Sequence, residues 1–284
     1  MKHIPVLLDF VLEILGEIAG KTIVDCTFGA GGYSRAFLRR GANVIAFDRD
    51  SSVIPEAEKL RAEFGAERFR FINVPFSEIS SHISRSPAAI VFDFGVSSMQ
   101  IDDGARGFSF RFDAPLDMRM SASGDSAAEL IENSSYDKLA EILREYGDLK
   151  KARAIAAAIK KNLPKTTFEL KDLVHNPKDI APVFQALRIA VNDELGEIRR
   201  ALDDVSGLLG AGGICACVTF NSLEDRLVKH EFRKWTTAAG DPRMPETAAP
   251  EFRLLKTRRP DDQELQTNPR ARSAHIRAVV KIAG

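Results

Sequence analysis

The chain has 284 residues, enough for one large domain or two smaller ones with a substantial core. Apolar residues make up 44% and charged residues 28%, and 40 basic against 40 acidic residues leave no net charge, which excludes a protein that holds nucleic acid by bulk charge alone. There is no apolar run near the ~20 residues of a membrane span, no leader-like N-terminus, and only three cysteines (Cys26, Cys215, Cys217), at spacings that fit neither a disulfide framework nor a zinc site; a cytoplasmic protein without a metal or a membrane contact is expected.

In chain order, residues 5–19 predict a helix, with Val6, Leu7, Phe10, Val11, Ile14, Leu15 and Ile18 on one stripe. A strand over Thr22–Cys26 breaks into Thr27-Phe28-Gly29-Ala30-Gly31-Gly32, and a helical pattern runs from Tyr33 to Arg40. The strand Asn43–Phe47 ends in Asp48; a helix near 52–64, a strand over Phe69–Asn73 and a strand over Ala88–Phe92, ending at Asp93, follow. Strands alternating with helices, with acids at the strand ends, predict a doubly wound parallel sheet. Past residue 105 the pattern changes. Residues 107–120 read as an ordered loop, and the stretch from Ser126 to Leu209 is almost wholly helical. One stripe holds Leu139, Ile142 and Leu143, and another holds Ala152, Ile155, Ala156 and Ile159 before Pro164 ends it; Thr167 is expected to cap a short helix, and a single long helix is expected from about Pro182 through Val205. Ile214–Phe220 returns to strand. The organisation predicted is a discontinuous α/β domain over 1–105 and 206–284, interrupted by an all-helical domain over 106–205. Eight basic residues between Arg253 and Lys281 stand against three acids, giving either a local basic surface or a solvated tail.

Three constellations carry chemistry. At Asp25-Cys26-Thr27-Phe28-Gly29-Ala30-Gly31-Gly32-Tyr33-Ser34 a strand turns into a helix whose opening N–H groups can face a carboxylate or phosphate. Asp48, at the end of the next strand, can accept hydrogen bonds from both ribose hydroxyls of an adenosine-containing cofactor. Together they indicate a nucleoside cofactor without separating NAD from S-adenosylmethionine. The third is Asp93-Phe94-Gly95-Val96-Ser97-Ser98-Met99-Gln100-Ile101-Asp102-Asp103, continuing into Arg106-Gly107-Phe108-Ser109-Phe110-Arg111 and Pro115-Leu116-Asp117-Met118-Arg119-Met120, a polar, Gly- and Met-rich run that no packing argument requires.

With these blocks, with Val191-Asn192-Asp193-Glu194-Leu195, Ser222-Leu223-Glu224-Asp225-Arg226 and Asn268-Pro269-Arg270-Ala271-Arg272-Ser273, and with His3-Ile4-Pro5-Val6-Leu7-Leu8 at the start, the chain resembles the RsmH/MraW family over its whole length. The resemblance implies a Rossmann-like class I S-adenosylmethionine methyltransferase with an inserted helical domain, acting on cytosine N4 of cytidine 1402 in the decoding centre of 16S rRNA, in the small ribosomal subunit. It assigns S-adenosyl-L-methionine contacts to Gly31, Gly32, Tyr33, Asp48, Phe76, Asp93 and Gln100, and an RNA-holding role to the inserted domain. The chain departs from the family pattern at Tyr33 and Asn221, where His is usual, and at Asp148, where Glu is usual.

Read from the residues, Asp93 is the candidate catalytic group: with carbonyls of the 94–98 loop it can accept the amino hydrogens of cytosine N4 and aim the nitrogen at a methyl donor. The alternative is that Asp93 only anchors the cofactor. None of the three cysteines sits on this loop, which argues against carbon-5 methylation. Phe108, Phe110 and Arg111 can stack on RNA bases or can pack between the two domains; Arg106, Arg119, Arg188, Arg270 and Arg272 are the candidate phosphate contacts. A small-molecule methyltransferase or dehydrogenase and a non-catalytic ribosome-assembly factor are the rival readings, and a homodimer is compatible with the sequence.

Overall fold

The computed structural model describes residues 5–121, 123–238 and 249–282. His3 and Ile4 lie outside the described residues. The chain divides into two compact units, Met1–Gly95 with Leu195–Gly284, and Val96–Glu194.

The first unit opens with α1 (Leu8–Leu15), shorter than the apolar stripe predicts because Gly16, at φ +62°, ends it while Ile18 stays buried beyond the helix. Then come β1 (Thr22–Asp25), α2 (Gly32–Arg39), β2 (Asn43–Phe47), α3 (Ile54–Phe64), β3 (Phe69–Ile72) and β4 (Ala89–Asp93). Four parallel strands stand in the order β3-β2-β1-β4, and their period-two burial splits the core into two layers, one on each sheet face.

The second unit is helical: α4 (Ser98–Asp102), α5 (Ala127–Asn133), α6 (Tyr136–Gly147), α7 (Ala152–Asn162), α8 (Thr167–Asp172) and α9 (Pro177–Asn192). Its own core gathers Leu139, Leu143, Ala156, Ile159, Val183 and Leu187, the stripes visible in the sequence. The N-cap of α8 is Thr166, in a capping box with Glu169; Thr167 instead lies inside the helix, its hydroxyl donating to the Phe112 carbonyl (2.6 Å) and accepting from Ala114 N–H (3.1 Å). The single helix expected from Pro182 is two. α9 starts at Pro177 behind the Asn176 cap, tolerates Pro182 inside it, and stops at Asp193, whose φ of +47° is left-handed. α10 (Glu194–Leu208) then carries the chain back to the first unit.

There, β5 (Ile214–Thr219) pairs parallel with β4, and α11 (Ser222–Trp235), β6 (Phe252–Leu254), α12 (Asp262–Thr267) and β7 (His275–Lys281) complete the fold. The sheet is mixed, in the order β3-β2-β1-β4-β5-β7-β6, because β7 runs antiparallel to both β5 and β6. The parallel sheet expected from residues 22–93 is present in β1–β4, and β7, which lies beyond that stretch, adds the antiparallel strand. The basic C-terminal stretch is accordingly not a tail. Ile276, Ala278 and Val279 are fully buried, Arg277 clasps Asp225, and Lys281 donates to the Ser206 carbonyl. Among the described residues no helix is long and apolar enough to cross a membrane.

Candidate active site and cofactor cradle

Parallel strands deliver their C-terminal residues to one edge of the sheet, and acids gather at that edge. Asp25 closes β1, Asp48 follows β2, Asp93 closes β4, and Glu224 sits in the first turn of α11 after β5. Asp25 pairs in register with Val91, and Asp93 with Val218.

The turn after β1 is built by Asp25, which sequence reasoning did not single out. Its fully buried carboxylate accepts the Ser34 hydroxyl (2.7 Å) and Thr27 N–H (3.3 Å), tying the strand end to the first turn of α2. Thr27 in turn accepts from Asp93 N–H (2.7 Å), which locks β1 to β4. Gly31 takes a left-handed φ of +75° as the N-cap of α2, and a Cβ there would come within 2.9 Å of the Phe28 ring. Gly32 is required for a different reason: a Cβ would fall 2.3 Å from Pro5 Cγ. The helix start carries no side-chain cap from Gly31, so its opening N–H groups suit a carboxylate. Tyr33 offers its backbone alone. Its ring is buried beside Phe37 and its hydroxyl donates to the Val6 carbonyl, a core position that also accounts for an aromatic where His is usual.

Asp48 bridges two loops, accepting Gly29 N–H (2.8 Å) on one oxygen and Asp50 N–H (2.9 Å) on the other. Burial raises its pKa to about 6, as it does that of Asp25. Phe76, after β3, is half-buried with its ring edge-on to Phe92 and tilted against Phe94. Asp93 is the outlier. Its Oδ1 is buried and has no hydrogen-bond partner among the described residues, and burial, followed by the charges of Asp25 and Glu224, holds its carboxyl well above the usual carboxylate range. A buried acceptor left open at a strand end, near an uncapped helix start and a ribose-competent acid, fits a ligand that brings both hydrogen-bond donors and positive charge.

Glu224 completes the capping box at the start of α11. It accepts Phe220 N–H (2.7 Å) and the Asn221 side-chain amide (2.6 Å), while Asn221 caps α11 by accepting from Leu223 and Glu224 N–H. Asparagine is among the best N-caps, so the departure from His at 221 has a structural use. Asp148 occupies the left-handed C-cap of α6 at φ +51°, a conformation Asp tolerates.

Gln100 belongs to the other unit. Its Oε1 accepts Ser97 N–H (2.9 Å) in the capping box of α4. In the same unit Arg106 donates to the Arg119 and Met120 carbonyls and lies over the Phe108 ring, while Arg119 forms a bidentate pair with Asp117. Arg188 forms a largely buried bidentate pair with Glu194 (2.7 and 3.1 Å). Phe110 packs edge-on against Phe184 of its own unit. Of these RNA candidates only Arg111 is exposed. Arg270 and Arg272 are exposed on the 3-10 turn Pro269–Ser273 of the first unit. Asn192, buried and missed as a key residue, accepts Met120 N–H (2.7 Å) and donates to the Met118 and Arg188 carbonyls, so it fastens the 118–120 loop to the end of α9.

Residues 1–282 match the model of the MraW methylase family. The chain belongs to that family. This methylase is 47% identical over 298 aligned residues to the ribosomal RNA small subunit methyltransferase H of a Chelativorans species, covering 99% of this chain and 88% of that protein. It is 42% identical to the protein of the same name from Caulobacter vibrioides, covering 98% and 95%. An rRNA methylase from Streptococcus thermophilus superposes with a TM-score of 0.46 at 13% identity, over 97% of this chain and 93% of its own, too distant to bear on the site. The methylase is a Rossmann-like α/β enzyme that uses S-adenosylmethionine, and Asp48 and the α2 start suit that cofactor's ribose and carboxylate.

Proposed function

We propose that the methylase transfers a methyl group to N4 of a decoding-centre cytidine in the 16S rRNA of the small ribosomal subunit, with the 96–194 unit serving RNA recognition. The names of its relatives support an rRNA substrate. The observation that carries the choice of an exocyclic amine is the open Oδ1 of Asp93.

When bound, S-adenosylmethionine supplies an electrophilic methyl group on a sulfonium. The chain's part is to hold and to orient. Asp48 would accept the ribose hydroxyls, the start of α2 would hold the carboxylate, and Phe76 would hold the adenine. Cytosine N4 is a poor nucleophile because its lone pair is delocalised into the ring. Asp93 Oδ1 accepts one amino hydrogen, which favours a pyramidal nitrogen, and its raised proton affinity suits it to take the proton that N4 loses. Carbon-5 methylation needs a cysteine nucleophile, and Cys26, Cys215 and Cys217 are all buried within or beside central strands.

The test is methyl transfer from labelled S-adenosylmethionine to small subunits that lack the modification, followed by nucleoside analysis. N4-methylcytidine at one decoding-centre position is expected. Asp93→Asn should lower the single-turnover rate by about 100-fold or more with cofactor affinity nearly unchanged. Label recovered on carbon 5, or normal turnover by Asp93→Asn, would overturn this reading.

A further inference from the structure

The aromatic residues that the sequence offers for stacking, Phe108 and Phe110, are half-buried against their own unit. Two other phenylalanines of that unit are not. Phe112 is 50% exposed and Phe168 is 37% exposed, although each could have been drawn into the helical core. They lie 56 positions apart in sequence, and a short backbone seam joins the two segments that carry them. Thr167 donates its hydroxyl to the Phe112 carbonyl, Phe168 N–H donates to Asp113 Oδ1 (3.3 Å), and Thr167 N–H donates to the Ala114 carbonyl (2.9 Å). Pro115 and Thr166 add an antiparallel bridge. One side of Phe112 rests on Gly104, where a Cβ would come within 3.1 Å of the ring, so the ring is held in place while half of it faces water.

The charges around this pair are sorted. Lys171 sits over the Phe168 ring with Nζ 4.9 Å from the centroid, and exposed Arg111 adjoins Phe112. Asp113 is occupied at the start of α8, and Glu169 is occupied by the Lys165 and Thr166 N–H groups of the capping box. Asp172 on α8 and Asp102 and Asp103 beside Gly104 are the other exposed acids close by in sequence, Asp103 being occupied by the Ala105 N–H. Fixed aromatic faces beside cations form a surface for unpaired nucleobases on a charged backbone: the rings take the base faces and the cations take the phosphates.

We infer that Phe112 and Phe168, with Arg111 and Lys171, form a stacking platform for single-stranded bases of the RNA substrate. This rests on the rRNA reading above. The experiment uses the full chain and a labelled single-stranded RNA oligonucleotide of the decoding-region sequence. Binding is measured for the unaltered protein, Phe112→Ala, Phe168→Ala and the double variant, alongside S-adenosylmethionine affinity and sedimentation. Each alanine should weaken RNA binding by about five- to 100-fold and leave cofactor affinity unchanged. Trp at either position should restore binding and Leu should not, since Leu keeps the apolar contact but offers no π face. Binding within twofold of the unaltered protein for the double variant, full rescue by Leu, or a change confined to self-association would each overturn the platform while leaving the methyl-transfer reading intact. Failure of the unaltered chain to bind or methylate RNA would overturn both.

Discussion

Four acids crowd the edge of one sheet, and two of them carry pKa values near 6 for the same reason, loss of water. For Asp25 the folded pKa rises from 3.8 to about 6, so the fold prefers its protonated form. That preference is complete below about pH 4 and is lost as pH rises through about 6. A shift of this size corresponds to about 3 kcal/mol. In the cofactor-free protein, stability should therefore fall as pH rises from about 4 to about 7, with Asp25, Asp48 and Asp93 all contributing, and Asp25→Asn should remove only the Asp25 share; thermal unfolding across this interval measures both. Asp225 behaves oppositely. Burial pushes its carboxyl up, but the bidentate Arg277 and the His275 ring outweigh it and hold the carboxyl below its ordinary value. Asp48→Ala should weaken S-adenosylmethionine binding by about 10- to 100-fold in calorimetry, the loss expected for hydrogen bonds to a charged acceptor. The sequence displayed Asp48 and Asp93 because both end strands, a position periodicity can find. Asp25 stood in the first constellation without a role, because the expected strand ran on to Cys26 and the contacts with Thr27 and Ser34 matter only once β1 and α2 have folded against each other.

At the scale of elements, the strand–helix alternation of residues 22–93 was legible because its strands are short, largely apolar runs, three of the four ending in or just before an acid. The helix ends were less so. Thr166 and Thr167 are the same residue type in adjacent places, and only the Phe112 and Ala114 backbone groups decide which one caps α8. Likewise the apolar spacing runs unbroken from Phe184 to Val205, so nothing in the periodicity marks the left-handed Asp193 that divides α9 from α10. What anchors that junction is polar: Asn192 holds the 118–120 loop and Arg188 holds Glu194. Replacing Asn192 by Ala leaves Met120 N–H and the Met118 carbonyl without their partner and should cost about 2–4 kcal/mol in chemical denaturation, against under about 1 kcal/mol for an exposed change such as Lys178→Ala. Gly107→Ala should be at least as damaging. It combines a φ of +72° with a Cβ 2.4 Å from the Pro115 carbonyl oxygen, which forces the whole 106–120 loop to move.

The molecule as a whole is two compact units made from three stretches of chain. The C-terminal stretch, legible in the sequence only as a surplus of basic residues, supplies the strand that joins β5 to β6, and among the described residues β6 has no other neighbour in the sheet. Truncation after Pro260 should therefore abolish soluble folded protein, and cofactor and RNA binding with it; a truncated protein that kept normal cofactor affinity would show the β7 strand to be dispensable. The position of β7 also orders events in time. As the chain leaves the ribosome, residues 96–194 form one uninterrupted run with a core of their own and can fold while synthesis continues. The sheet to which β5 and β6 belong cannot close until the chain has been made as far as Lys281, because β7 lies between those two strands. Premature termination anywhere before that strand leaves a nascent methylase with an unsealed sheet.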